Sequence, residues 1–229
     1  MIEELLQALQ AETVVAGHKA YVHNNYNVAP EPTIKPLFTH TLQSVVDALV
    51  ANFEAEHTKR LVIYIHSPIS VSLTSNSETK DLQRHCLIDA DAYVADFGFG
   101  MEHGYENFII ALNSQFQDNE GRAELLKALS QISKKVENSL TDTGVSQEFK
   151  AKAGITTSVQ LKNPIELIPF RTFPEVRQPE SLFVFRILES KTTTRFMLQE
   201  ANGSQWKLTA ITRIRQWFEA QKLGVPIIG

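Results

Sequence analysis

What most constrains this chain is the order in which its two hydrophobic periods occur. Between positions 61 and 99 the apolar residues run in short strand-like blocks: "LVIYI" (Leu61 to Ile65), then "ISVSLT" with Ile69, Val71 and Leu73 alternating, then "RHCLIDADAYVADF". Helical spacing then takes over, with Phe108, Ile109, Leu112 and Phe116 on one segment and Leu125, Leu126, Leu129, Ile132 and Val136 on the next. From about Leu140 the period returns to two. Val145, Gln147 and Phe149 alternate, as do Thr157, Val159 and Leu161, and "LFVFRIL" and "TRFMLQ" predict a hairpin. Strands that alternate one by one with helices build a doubly wound parallel sheet, whereas runs of strands and runs of helices segregate into α+β folds. The expected fold is therefore α+β, a mixed or antiparallel sheet with segregated helices.

The flanks complete this picture. A helix carrying Leu42, Val45, Val46, Leu49, Val50 and Phe53 precedes the first strand block, "LVIYI" reads as a buried strand broken by Pro68, and "RHCLIDADAYVADF" pairs back on "ISVSLT". Asn202-Gly203 is the usual pair for a two-residue hairpin turn, leading to Trp206. A last helix carries Leu208, Ile211, Ile214 and Phe218 on its apolar face, and Gly224-Val225-Pro226 ends it. At the other end, Ile2, Leu5, Leu6 and Leu9 space a short first helix, followed by a stretch to position 37 in which prolines and asparagines favour extended chain, either strands of the main sheet or, as preferred, an arm reaching across a neighbour. The expected organisation is an N-terminal helix and extended arm over 1–37 and a single α+β domain over 38–229, β-rich from about 140.

Composition limits the function. At 229 residues and 43% hydrophobic the chain can bury one sizeable core, or two small ones. Its net charge of −4 argues against coating nucleic acid or anionic membrane along the whole length. One cysteine, Cys86, excludes an internal disulfide framework and fits a reducing compartment. The acidic, amphipathic start "MIEELLQALQAE" lacks the order of a signal peptide, and no apolar run approaches the roughly 20 residues of a membrane span. A cytoplasmic protein without membrane contact is expected.

No phosphate loop, dinucleotide fingerprint, zinc-protease helix, nucleophile elbow or paired CxxC occurs. "DFGFG" (Asp96 to Gly100) contains the magnesium-binding triplet of protein kinases without the other parts that chemistry needs, so it reads as a glycine-bounded turn burying Phe97 and Phe99. His85, Asp89 and Asp91 share one face of an ideal strand, with Cys86 and Ile88 on the other, which offers a hydrolytic or metal site as the enzymatic alternative. No catalytic residue, metal or cofactor is assigned. Between Arg186 and Lys222 seven basic residues stand against three acidic ones. Arg195, Lys207, Arg213 and Trp217 are the candidates there for nucleic acid, a partner that is possible but not favoured. Such charge asymmetry suits contact between identical chains equally well.

The stretch "PFRTFPEVRQPESLFVFRI" sets Pro169, Pro174 and Pro179 five residues apart, which holds the chain extended but outside a central sheet ladder. Phe170, Arg171, Phe173 and Arg177 from this stretch, with Tyr21 and Tyr26 from the arm, are the interface candidates. Together with "DFGFG", "TDTGVSQEFKAKAG" and "SQWKLTAITRIRQWFEAQ", this block resembles the YfdQ-like family of phage and prophage proteins, a domain of unknown function, from roughly Ile34 to the C-terminus. The resemblance implies a protein of a tailed phage or prophage and carries over no catalytic residue. The combined expectation is a self-assembling structural or scaffold-like homo-oligomer. The alternative is a module that binds host or phage machinery, such as a defence inhibitor or a replication or recombination partner.

Overall fold

The computed structural model describes residues 13–16, 19–22, 35–53, 60–75, 84–131, 137–142, 147–153, 155–189 and 194–229, with backbone pairing alone in the segments 13–22 and 137–160. The chain divides into two compact units, Met1–Lys35 and Pro36–Gly229. The first contains β1 (Thr13–Ala16) and β2 (Lys19–Val22), which pair antiparallel with each other. The expected first helix lies outside the described residues. The division falls two residues before the expected position 37, because Leu37 already belongs to a strand of the second unit.

In chain order that unit contains β3 (Leu37–Thr39), α1 (Leu42–Val50), β4 (Leu61–Ser67), β5 (Ser70–Ser75), β6 (Cys86–Asp91), α2 (Tyr105–Ser114) and α3 (Glu120–Gln131). It continues with β7 (Glu137–Asp142), β8 (Gln147–Ala153), β9 (Ile155–Leu161), β10 (Ile165–Leu167), β11 (Ser181–Glu189), β12 (Thr194–Glu200), α4 (Trp206–Ala220) and β13 (Ile227–Ile228). The fold is α+β.

A five-stranded sheet has the order β13-β4-β5-β6-β3 and is mixed, since the two outer strands pair parallel and the inner three antiparallel. Its helix-covered face is set by period two: Ile63 and Ile65 of β4, Val71 and Leu73 of β5, and Ile88 and Ala90 of β6 are all buried. Leu42, Val45 and Val46 of α1 and Ala210, Ile214 and Phe218 of α4 are the matching buried helix residues. Thr41 caps α1 by accepting from the Ser44 amide. The helix ends at Val50, and Asn52 takes a positive φ of 53°. Val50 and Phe53, expected on the buried face, are therefore exposed.

The antiparallel sheet β10-β11-β12 carries the second core. Phe183, Phe185 and Ile187 of β11 meet Phe196 and Leu198 of β12, and the α2–α3 pair covers them with Phe108, Leu112, Phe116, Leu125 and Leu129. The β11–β12 hairpin is the one the alternation predicted. The third sheet, β7-β8-β9, is an antiparallel meander that delivers Leu161 to this core.

Two expectations fail for local reasons. Asn202-Gly203 does not close a hairpin: Gly203 (φ 59°) and Ser204 (φ 63°) turn the chain directly into α4, so Trp206 opens a helix. Leu208 is 72% exposed, because α4 rotates to bury Ala210 in its place. The strand β13 beyond Gly224 was not foreseen either. A two-residue strand has no periodicity to read.

Gly121 shows how closely α3 docks. Asn119 holds the start of this helix, accepting from the Arg122 amide at 2.9 Å and donating from Nδ2 to the Glu166 carbonyl of β10, also at 2.9 Å. A Cβ at position 121 would lie 2.1 Å from that same carbonyl oxygen. Helix propensity alone favours alanine over glycine by about 1 kcal/mol. Gly121→Ala should instead destabilise the protein, by about 1–3 kcal/mol of overpacking, seen as a fall in Tm. A rise in Tm would show that α3 is free to move off β10.

Candidate functional site

The proline–phenylalanine stretch becomes a loop between β10 and β11, stitched by one residue. Gln178 is buried, and its Oε1 accepts from the amides of Arg171 (2.9 Å) and Thr172 (3.1 Å). Its Nε2 donates to the carbonyls of Thr172, Phe173 and Val176 at 3.0–3.4 Å. Prolines leave a loop short of donors for its own carbonyls, and a buried carboxamide can supply both donor and acceptor at once. Phe173, anchored by this turn, is fully buried. The Thr172 hydroxyl donates to the Pro68 carbonyl and so ties the loop to the β4–β5 turn.

Arg171 is the centre of the arrangement. Only 6% of it is exposed. Its guanidinium lies 4.2 Å from the ring centre of Trp206, 5.4 Å from Phe183 and 5.7 Å from Phe99. Nη1 donates to Glu200 Oε1 at 3.0 Å, whereas the buried Nε and Nη2 have no acceptor among the described residues. Burial pulls the arginine pKa down, and the charge and hydrogen bond of Glu200 oppose that fall. The "DFGFG" turn supplies one wall: the Asp96 side chain accepts from the Gly98 amide at 2.8 Å, Gly98 takes φ 71°, and Phe99 stacks on Phe183 at 4.9 Å. This segment is the packing turn expected of it.

Glu180 closes the loop. It pairs with Arg177 and, through Oε2, with Arg213 Nη2 at 2.9 Å. Arg213 also donates to the carbonyls of Arg177 and Gln178. Arg215 is turned toward the C-terminal strand, donating to the carbonyls of Ile227 and Gly229, with Glu219 4.0 Å away.

These placements sort the sequence candidates. Arg171 and Phe173, proposed as interface contacts, are interior residues, and the rings around Arg171 come from Phe99, Phe183 and Trp206 rather than from the phenylalanines beside it in the sequence. Phe170 is half-exposed and Arg177 reaches solvent from its Glu180 pair. Tyr21 stands opposite Val14 in the β1–β2 pair, its side chain outside the described residues, as is all of Tyr26. Of the nucleic-acid candidates, Arg213 is held by Glu180 and two carbonyls, and Trp217 is half-buried edge-on to Phe218. Arg195, beside Gly104, and Lys207 remain at the surface. With Arg213 so engaged, the exposed cations among these candidates are Arg195 and Lys207.

The His85, Asp89, Asp91 cluster also changes. A bulge opposite Leu73 and Thr74 lets both Leu87 and Ile88 be buried, which breaks the ideal alternation. Cys86 is half-buried rather than inward-facing, and burial followed by the nearby Asp89 carboxylate pushes its thiol pKa up. Among the described residues no three His, Cys, Asp or Glu side chains converge as metal ligands.

What the sequence reading missed is the other face of the five-stranded sheet. Registered neighbours put Ile228, Tyr64, Ser72, Asp89 and Phe38 in one row across its five strands. Phe38 is 76% exposed, Ile228 47% and Tyr64 41%. His66 lies edge-on to Tyr64 at 4.2 Å, and its Nε2 is 2.7 Å from the Ser72 hydroxyl. A serine nucleophile would need such a base but also an approachable oxygen and aimed backbone donors. Ser72 is 2% exposed and is paired in the ladder on both sides, so this pair organises a surface. The signal was present in "LVIYIHS", where Tyr64 and His66 alternate against Ile63 and Ile65.

No protein-family model, no curated protein and no solved structure matches this chain. Among the described residues, no helix is long and apolar enough to cross a membrane.

The Glu180 cluster has a defined pH signature. Burial acts to raise the Glu180 pKa, but its own backbone amide, Arg213 and Arg177 outweigh that and hold it below the ordinary 4.5. A lowered carboxylate pKa stabilises the fold above the unfolded-state value, and this contribution is lost as pH falls through the folded-state value. Glu180→Gln should cost about 1 kcal/mol at pH 7, with the gap to wild type closing below pH 4.5 in acid-dependent urea unfolding. A gap of constant size across that range would remove Glu180 as an ionised partner.

Proposed function

We propose that this chain is a non-catalytic, self-assembling structural protein whose contact surface is the face of the five-stranded sheet opposite the one that α1 and α4 cover. One observation carries the reading: a face that crosses all five strands leaves Phe38, Tyr64 and Ile228 in solvent while the opposite face is covered by helices. Contiguous exposed apolar and aromatic side chains with polar residues between them are the usual composition of a protein–protein contact. The sheet edges are less inviting, because the outer strands have three and two residues, too short to template a long added strand. The most conspicuous arginines, Arg171 and Arg213, are engaged within the fold.

The sequence resemblance supplies a setting for such a protein, namely a tailed phage or prophage with assembly in the cytoplasm of the host. A structural oligomer in that setting needs a surface that copies of itself can bury, and no cofactor enters this reading.

Light scattering coupled to size-exclusion chromatography tests it. Wild-type protein should elute at a multiple of 25.8 kDa. Phe38→Asp, at an already exposed position, should leave the fold intact and weaken association by at least about 30-fold, the range of a lost interface hot spot. Wild-type protein at a single-chain mass, or assembly indifferent to Phe38→Asp, would contradict the proposal.

A further inference from the structure

The open sheet face also specifies how two copies meet, an inference that rests on the self-association proposed above. Its row runs Ile228, Tyr64, Ser72, Asp89, Phe38, apolar at both ends and polar in the middle. The middle strand, β5, therefore divides the face into two unlike halves. The β4 side carries Tyr64 and His66, with Ile228 beyond them; the β6 side carries Asp89 and Asp91, with Phe38 beyond them.

We propose that the chain forms a face-to-face dimer about a two-fold axis running along β5. That operation lays β4 of one protomer over β6 of its partner, and β13 over β3. Phe38 then meets the partner's Ile228 and Tyr64, so the most exposed aromatic side chain of the row covers the apolar end of the other copy. His66 meets the partner's Asp89 and Asp91. With Nε2 held by the Ser72 hydroxyl, Nδ1 is the imidazole nitrogen left to face a carboxylate.

A single symmetry operation thus satisfies both the apolar and the polar groups, which is what an isologous contact requires. The alternative two-fold, running across the strands, lays each strand on its own copy. It would put Phe38 on Phe38 and set Asp89 and Asp91 against the same carboxylates, a like-charge contact that opposes association. Facing sheets pack about 10 Å apart with their strands within about 30° of each other, a geometry that a two-fold along a twisted strand produces naturally.

Thiol crosslinking separates these arrangements. In a Cys86→Ser background, Phe38→Cys and Ile228→Cys are prepared as separate full-length proteins and treated with a short bismaleimide, alone and after mixing. Position 38 and position 228 lie at opposite edges, four strand spacings or about 19 Å apart. Neither protein alone should crosslink, and the mixture should give a band near twice the 25.8 kDa chain mass. Crosslinking of Phe38→Cys with itself would overturn this geometry in favour of the other two-fold. No crosslink in any sample, from protein that light scattering shows to be oligomeric, would overturn this geometry while leaving self-association standing. A single-chain mass in light scattering would remove both.

Discussion

The buried guanidinium of Arg171 is the constraint around which the second unit is arranged. An arginine cannot shed its charge inside a protein, so each wall of its site must either hydrogen-bond it or present a ring face. Those walls come from four separate places in the sequence: Phe99 in the "DFGFG" turn, Phe183 on β11, Glu200 at the end of β12 and Trp206 at the start of α4, while Gln178 holds the backbone amide of Arg171 itself. Thr172, the next residue, ties the same loop to the turn at Pro68 in the other sheet. The two sheets and the helix that follows β12 are thereby fastened at one point. Pairing with a single carboxylate does not satisfy all of the guanidinium: among the described residues its buried Nε and Nη2 have no hydrogen-bond acceptor. Such a site gives a unique arrangement more readily than it gives raw stability.

This hub explains how polarity is distributed. Arg177, Glu180 and Arg213 form a second layer around the same loop, so the residues that look most like a binding site in the sequence are engaged with one another. The five-stranded sheet is built oppositely. Two helices cover one face, and the other keeps Phe38, Tyr64 and Ile228 in contact with water. Burying that face against a second copy removes apolar surface from water without disturbing the hub.

Much of the architecture was legible because periodicity reports burial directly. Phe183 and Phe185 alternate against Val184, and Phe108, Leu112 and Phe116 recur at helical spacing; both patterns are realised in one core. Failures occurred where a single residue departs from the period. The bulge at Leu87 reverses the facing of its neighbours, and Ser204 in a left-handed conformation converts an expected hairpin into a helix start. The role of Gln178 could not be read at all, since a glutamine between an arginine and a proline looks the same whether it stitches a loop or faces solvent. The fate of Arg171 was hidden for the opposite reason: its partners are nearby in space and distant in sequence. Reading "LVIYI" as uniformly buried concealed the open face, although Tyr64 and His66 share the parity of that face.

Arg171 fastens the fold from within, and urea unfolding of Arg171→Ala at fixed protein concentration tests that role. Removing the guanidinium leaves Glu200 without its cationic partner and opens a cavity beside Trp206, Phe183 and Phe99. Breaking a buried pair of this kind costs about 3–5 kcal/mol, so the unfolding midpoint should fall steeply. A change within about 0.5 kcal/mol, the range of ordinary surface substitutions, would contradict the account and return Arg171 to the exterior of the molecule.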